Sequence, residues 1–270
     1  MKLTSFAMLL LLLCVSIISV AKADTLSKLT LQDFKKSDIP VIPYTVKNKI
    51  DMLSRSFVEG FTSRDGVLYV SSGGYGYSYL TAYSLDQSKG LYTHFLGQQD
   101  FAEGISYFNN KLYQLNYDSE LVNVYDHTLE PNGNIQFPIA GWGITHNQHN
   151  FIVSNGSNHL YVIDPDTLKV IKTLNIYIPN TNIPINHLND LTYMNGHIYA
   201  NIFGTTLVIK INELTGKIEG ILDLNLLSEE QGNLQLNCTM NGITYVKDSD
   251  QFAVGGKCWK QRYLIKINNQ

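Results

Sequence analysis

The chain has 270 residues, 44% of them hydrophobic and only 16% charged, with a formal net charge of −3. That profile excludes a disordered chain, and its slight acidity argues against nucleic acid as a partner. The length fits one large domain or two small ones.

The first residues, "MKLTSFAMLLLLLCVSIISVAKADT", put Lys2 before an apolar run and small residues at Ala21–Ala23. This pattern predicts a signal peptide over 1–23 and a single domain over 24–270. The rival is an uncleaved anchor, but the apolar run is short for a membrane span. Loss of 1–23 removes Lys2 and Lys22, leaving 18 basic and 23 acidic residues, a balance of −5. A secreted or periplasmic location is therefore expected, with no stable membrane association after cleavage and a monomer as the default. Export leaves Cys238 and Cys258, which an oxidising compartment allows to bridge; two separate thiols are the alternative.

From residue 57 onward a pattern recurs. Its copies are "FVEGFTSRDGVLYVSSG" (57–73), "FAEGISYFNNKLYQLNY" (101–117), "GWGITHNQHNFIVSNG" (141–156), "LNDLTYMNGHIYANIF" (188–203) and "MNGITYVKDSDQFAVGGK" (240–257). Each reads as two short strands around an Asn/Asp/Gly turn. A third strand follows, as in "YLTAYSLD" (79–86) or "LVIKINEL" (207–214), and several copies continue into a fourth. "DPDT" (164–167) holds two carboxylates but reads as a turn rather than a metal site. Glu59, Glu103, Trp142, Asn189 and Asn241 are equivalent, spaced by 44, 39, 47 and 52 residues. Four-stranded units at this period predict an all-β, five-bladed β-propeller. The last copy ends after its third strand, so the N-terminal segment near 41–50 is expected to supply the outer strand of the last blade.

First strands line the axis of a propeller, so the five equivalent residues form a ring at one mouth of the channel. Second strands return to that face and bring Gly73, Tyr117, Gly156, Phe203 and Lys257. A purely structural repeat would favour one residue type at such positions; differing chemistry at equivalent places suggests a pocket. His146 and His149 fall in a predicted turn and are expected to face solvent. "SSGGYGYS" (71–78) lacks the Gly-Lys-Ser/Thr ending of a phosphate loop, and no Gly-x-Ser-x-Gly elbow occurs.

The ordered motifs "FVEGF", "FAEGIS", "GWGIT", "LNDLTYMNGHIYANIF" and "MNGITY…GGKCW" resemble the plant and bacterial type of glutaminyl-peptide cyclotransferase, from about residue 40 to the end. The resemblance implies a five-bladed propeller that converts the N-terminal glutamine of peptides to pyroglutamate with release of ammonia, without a metal cofactor. It implies Glu103 as acid/base, with Asn189 and Lys257 as further catalytic groups. Trp142 matches a pocket tryptophan, and Phe101 and Trp259 lie in the same motifs; with Glu59, Tyr117, Phe203 and Asn241 they form the expected substrate-binding set. The family usually has Gln where Glu59 stands, Trp where Tyr117 and Phe203 stand, and Glu where Asp190 stands. Other classes remain open at this stage. One is a non-catalytic propeller binding a peptide or sugar. Another is a hydrolase built around calcium, although Trp142 and Lys257 interrupt the ring of oxygen ligands it needs.

Overall fold

A computed structural model describes residues 29–34, 37–52, 56–232, 234–235 and 237–268. The expected leader, 1–23, lies outside the described residues. Five antiparallel four-stranded sheets form the blades of a propeller. The N-terminal strand β1 (Tyr44–Asp51) comes before blade one. Blade one contains β2 (Val58–Arg64), β3 (Val67–Ser72), β4 (Tyr79–Ser84) and β5 (Gly90–Phe95). Blade two contains β6 (Ala102–Phe108), β7 (Lys111–Asn116), β8 (Leu121–Tyr125) and β9 (Pro131–Gln136). Blade three runs from β10 (Gly143–His146) through β11 (Phe151–Ser154) and β12 (His159–Ile163) to β13 (Val170–Asn175). Blade four comprises β14 (Leu188–Met194), β15 (His197–Ile202), β16 (Leu207–Asn212) and β17 (Ile218–Asp223). Blade five holds β18 (Met240–Val246), β19 (Gln251–Gly256) and β20 (Gln261–Ile267).

The fourth strand of blade five is β1, paired antiparallel with β20 from Tyr44 opposite Ile267 to Asp51 opposite Gln261. The expected closure is thus present, and it ties the two ends of the propeller into one sheet. The hairpin turns follow from local chemistry. Asp65–Gly66, Asn109–Asn110 and Asn195–Gly196 all take positive φ, the backbone that tight hairpins demand and that Asn, Asp and Gly tolerate. "DPDT" is also a turn: the Asp164 carboxylate accepts from the Thr167 backbone N–H at 2.7 Å.

Burial falls from hub to rim. Strand β2 is buried from Val58 to Thr62, whereas the outer strand β13 exposes all but one of its residues. The core lies between neighbouring blades, as in the Ile- and Leu-rich cluster joining blades three and four. At the hub, the residues after the five mouth positions are Gly60, Gly104, Gly143, Asp190 and Gly242. A Cβ on Gly60 would lie 2.8 Å from Gly104 Cα, and one on Gly104 2.8 Å from Gly143 Cα. Only glycine allows that approach. Asp190 breaks the collar of glycines, and its Oδ2 accepts from Ile243 N–H at 2.7 Å and Phe61 N–H at 3.1 Å. One side chain therefore ties blade four to blades five and one.

Candidate active site

The mouth above this collar holds a cavity of about 340 Å³. Glu59, Glu103, Trp142 and Asn189 from the first ring line it, with Tyr117, Phe203 and Lys257 from the second. Local irregularity presents them. The β2–β3, β6–β7, β14–β15 and β18–β19 ladders all slip register at the mouth residue. Such bulges re-aim side chains next to functional sites. The backbone is also pinned: Ser71 Oγ donates to Glu103 O at 2.5 Å, and Ser154 Oγ donates to Asn189 O at 2.7 Å.

Three ionisable groups meet at the floor. Lys257 Nζ lies 2.7 and 2.6 Å from the two Glu59 carboxylate oxygens, with the side chains 7% and 1% exposed. Glu103 is buried beside them, lining the same cavity as Glu59. Burial pushes Glu59 up to about 7 despite the opposing Lys257 charge. Glu103 is held well above the ordinary carboxyl range, first by burial and then by the Glu59 charge. Asn241 does not line the cavity; it sits behind Glu59, its Nδ2 donating to Val58 O at 2.9 Å. Asn189 faces the cavity with its Oδ1 buried and unpartnered.

Aromatic rings form the walls. Phe101 is central, with ring centroids 6.5 Å from Phe57, 5.3 Å from Tyr75 and 5.7 Å from Tyr117. Opposite, Trp142 and Phe203 meet edge to face at 6.3 Å. The two glycines of the second ring make room for them. A Cβ on Gly156 would lie 2.6 Å from the Trp142 ring, and one on Gly73 would strike Phe101. Lys257 Nζ lies 4.5 Å from the Phe57 centroid and 4.8 Å from that of Phe203, a favourable contact for a desolvated ammonium.

Trp259 is placed elsewhere. It is fully buried, packs edge to face on Tyr263 and against Gly256, and belongs to the core between blades four and five. The turn that aims Lys257 into the cavity sends the next-but-one side chain, Trp259, into the core between the blades. His146 also departs from expectation: it is partly buried against Phe108, at 4.4 Å between centroids. Among the described residues, no three His, Cys, Asp or Glu side chains converge as a metal site.

Cys238 and Cys258 form a disulfide with Cα atoms 5.3 Å apart. It staples the segment before β18 to the turn bearing Lys257, whose backbone N–H donates to Thr239 O at 2.8 Å. Three further lining residues, Phe57, Tyr75 and Asn237, were not singled out from sequence. Phe57 had a signal, since it stands two residues before Glu59 as Phe101 does before Glu103.

Comparison with known proteins follows the same line. The sequence model described as glutamine cyclotransferase matches residues 12–267. The chain belongs to the glutamine cyclotransferase family. It is 26% identical to the glutaminyl-peptide cyclotransferase of Arabidopsis thaliana over 218 residues, covering 78% of this chain and 67% of that protein. The crystal structure of Myxococcus xanthus glutaminyl cyclase has the same fold, with a TM-score of 0.77 and 22% identity over 85% of this chain and 98% of that one. Within the family, the resemblance leads one to expect an amide where Glu59 supplies a second buried carboxylate.

Proposed function

We propose that this protein is a glutaminyl-peptide cyclotransferase, converting the N-terminal glutamine of peptides or proteins to pyroglutamate and ammonia. Beside family membership, the observation that carries the reading is a buried carboxyl, Glu103, in an aromatic-walled cavity of about 340 Å³. In the reaction the substrate's α-amine attacks its own side-chain carboxamide carbon. A C–N bond forms, the bond to the carboxamide nitrogen breaks, and one proton moves from the attacking to the departing nitrogen. No enzyme nucleophile is required.

The protein's tasks are folding, proton transfer and charge stabilisation. Phe101, Tyr117, Trp142 and Phe203 confine the glutamine side chain so that amine and carboxamide meet, a proximity contribution. Glu103 moves the proton; its raised pKa suits an acid that gives a proton to departing ammonia near neutral pH. Asn189, which lines the cavity, donates from its Nδ2 to the developing oxyanion. Lys257 is engaged by Glu59, so its contribution there is what remains of a three-donor ammonium after two contacts.

Export to an oxidising compartment is part of the proposal. The Lys2-led apolar run and the Cys238–Cys258 bridge support it. Ammonia release from a glutamine-leading dipeptide, beside its N-acetylated form, tests the function. Release from the free amine alone is expected; no release from either by folded protein refutes the reading.

A further inference from the structure

Glu103 poses a difficulty. A carboxyl that keeps its proton is an acid, yet the attacking amine must lose a proton to something. Its Oε2 is buried and meets no N–H or O–H donor. The neighbour of Glu103 on the adjoining inner strand is Glu59, which lines the same cavity and is another acceptor when ionised. Two carboxyl groups can hydrogen-bond only with a proton between them. Glu59 is meanwhile held by Lys257 through both oxygens and by Asn241 Nδ2 at 3.5 Å. The other polar and titratable groups acting on the pair are Lys257 from the turn after β19, Asn241 from β18 and the Asp190 carboxyl from β14.

We propose that Glu59 is a positioning residue that acts through Glu103 as the second seat of its proton, with Lys257 keeping that seat ionised between turnovers. This rests on the cyclase reading. Glu103 accepts the proton of the attacking amine on one oxygen while the proton it already holds passes to Glu59. Glu103 then gives a proton to the departing nitrogen, and Glu59 returns its own. The carboxamide C–N bond breaks, ammonia leaves, and the pair ends with the one proton with which it began. Lys257 makes the arrangement reversible: its charge weakens the grip of Glu59 on the proton without removing a seat. A glutamine at position 59 would keep the shape and offer no seat.

Glu59→Gln isolates this role. In the wild type the acid limb of kcat should fall near 7, where Glu59 takes up a proton of its own and the seat is lost. In E59Q, Glu103 loses a neighbouring negative charge and gains an unpaired Lys257, both of which favour its ionised form. The acid limb should move down by more than about one pH unit, with KM changed less than about threefold. Carbon-13 titration of glutamate carboxyls in ligand-free protein gives an activity-independent readout. The wild type should show two linked high-pH titrations, one of which disappears in E59Q while the other moves down. An acid limb that stays in place in an active, folded E59Q refutes the relay and leaves the cyclase reading intact. Linked titrations without any ammonia release refute the cyclase reading and establish the shared proton. Absence of a high-pH carboxyl titration in the wild type overturns the proposal outright.

Discussion

Removing Lys257 leaves Glu59 buried without its counter-charge, and the consequence depends on pH. Lys257→Met keeps most of the aliphatic stem against Phe57 and Phe203 and deletes the ammonium. In the folded protein Glu59 titrates at about 7 against an ordinary value of 4.5. A raised carboxyl favours the folded state fully below 4.5, and this advantage is lost as pH rises through 7. Below 7, Glu59 carries its proton in wild type and variant alike, so the lost ammonium matters little. Above 7 the wild type has an ion pair, whereas the variant must keep a proton on Glu59 at about 1.4 kcal/mol per pH unit. At pH 9 this reaches about 3 kcal/mol, the lower end of the ~3–5 kcal/mol expected for removing one partner of a buried pair. For a domain of this size each kcal/mol moves Tm by about 2–4 °C. Thermal unfolding followed by circular dichroism should therefore place K257M about 6–12 °C below wild type at pH 9 and within about 3 °C at pH 6. An equal deficit at both pH values, or a larger one at pH 6, would refute the buried pair as the source.

Two further outcomes follow from the hub and the staple. Burial holds the Asp190 carboxyl well above its ordinary value of 3.8, so wild-type stability should decline as pH rises from 3.8 through that raised value. Asp190→Asn should show a flatter decline in urea unfolding from pH 4 to 8, and Asp190→Ala, which strands the Phe61 and Ile243 N–H groups, should cost about 2–6 kcal/mol at both ends. The disulfide closes a loop with a sequence separation of 20 residues, for which chain entropy gives about 3 kcal/mol. Cys238→Ser with Cys258→Ser should lower Tm to the value of reduced wild type, and raise KM because Lys257 and Asn237 flank the bridge; a melt insensitive to reductant in the wild type would contradict this.

Much of this architecture was readable because a propeller repeats. One motif recurring five times gave the blades, their inner strands and the mouth ring, and the short last copy implied that β1 closes blade five. Repetition also placed Glu59, Glu103, Trp142 and Asn189 on one cavity. What it could not give was contact between side chains. Asn241 occupies an equivalent backbone position yet turns to brace Glu59, and Trp259 shares a motif with Lys257 yet faces the core. Tyr75 reaches the cavity from a glycine-rich loop with no counterpart in the other copies, so no alignment of repeats could reveal it. The Glu59–Lys257 pair joins residues 198 positions apart and depends on closure of the ring. Asp190 was visible only as an odd residue, and its meaning required seeing four glycines at the other equivalent positions.

The central claim is that this cavity cyclises N-terminal glutamine with Glu103 moving the proton. The most direct measurement is ammonia release from a glutamine-leading dipeptide by the purified protein and by Glu103→Gln, each with and without a chelator. The account predicts chelator-insensitive release by the wild type, reduced at least about 100-fold in kcat by E103Q, as loss of a general acid–base implies, with the folded state retained. Release by E103Q at the wild-type rate would contradict the role of Glu103. A folded wild type that releases no ammonia across several such peptides would contradict the function itself.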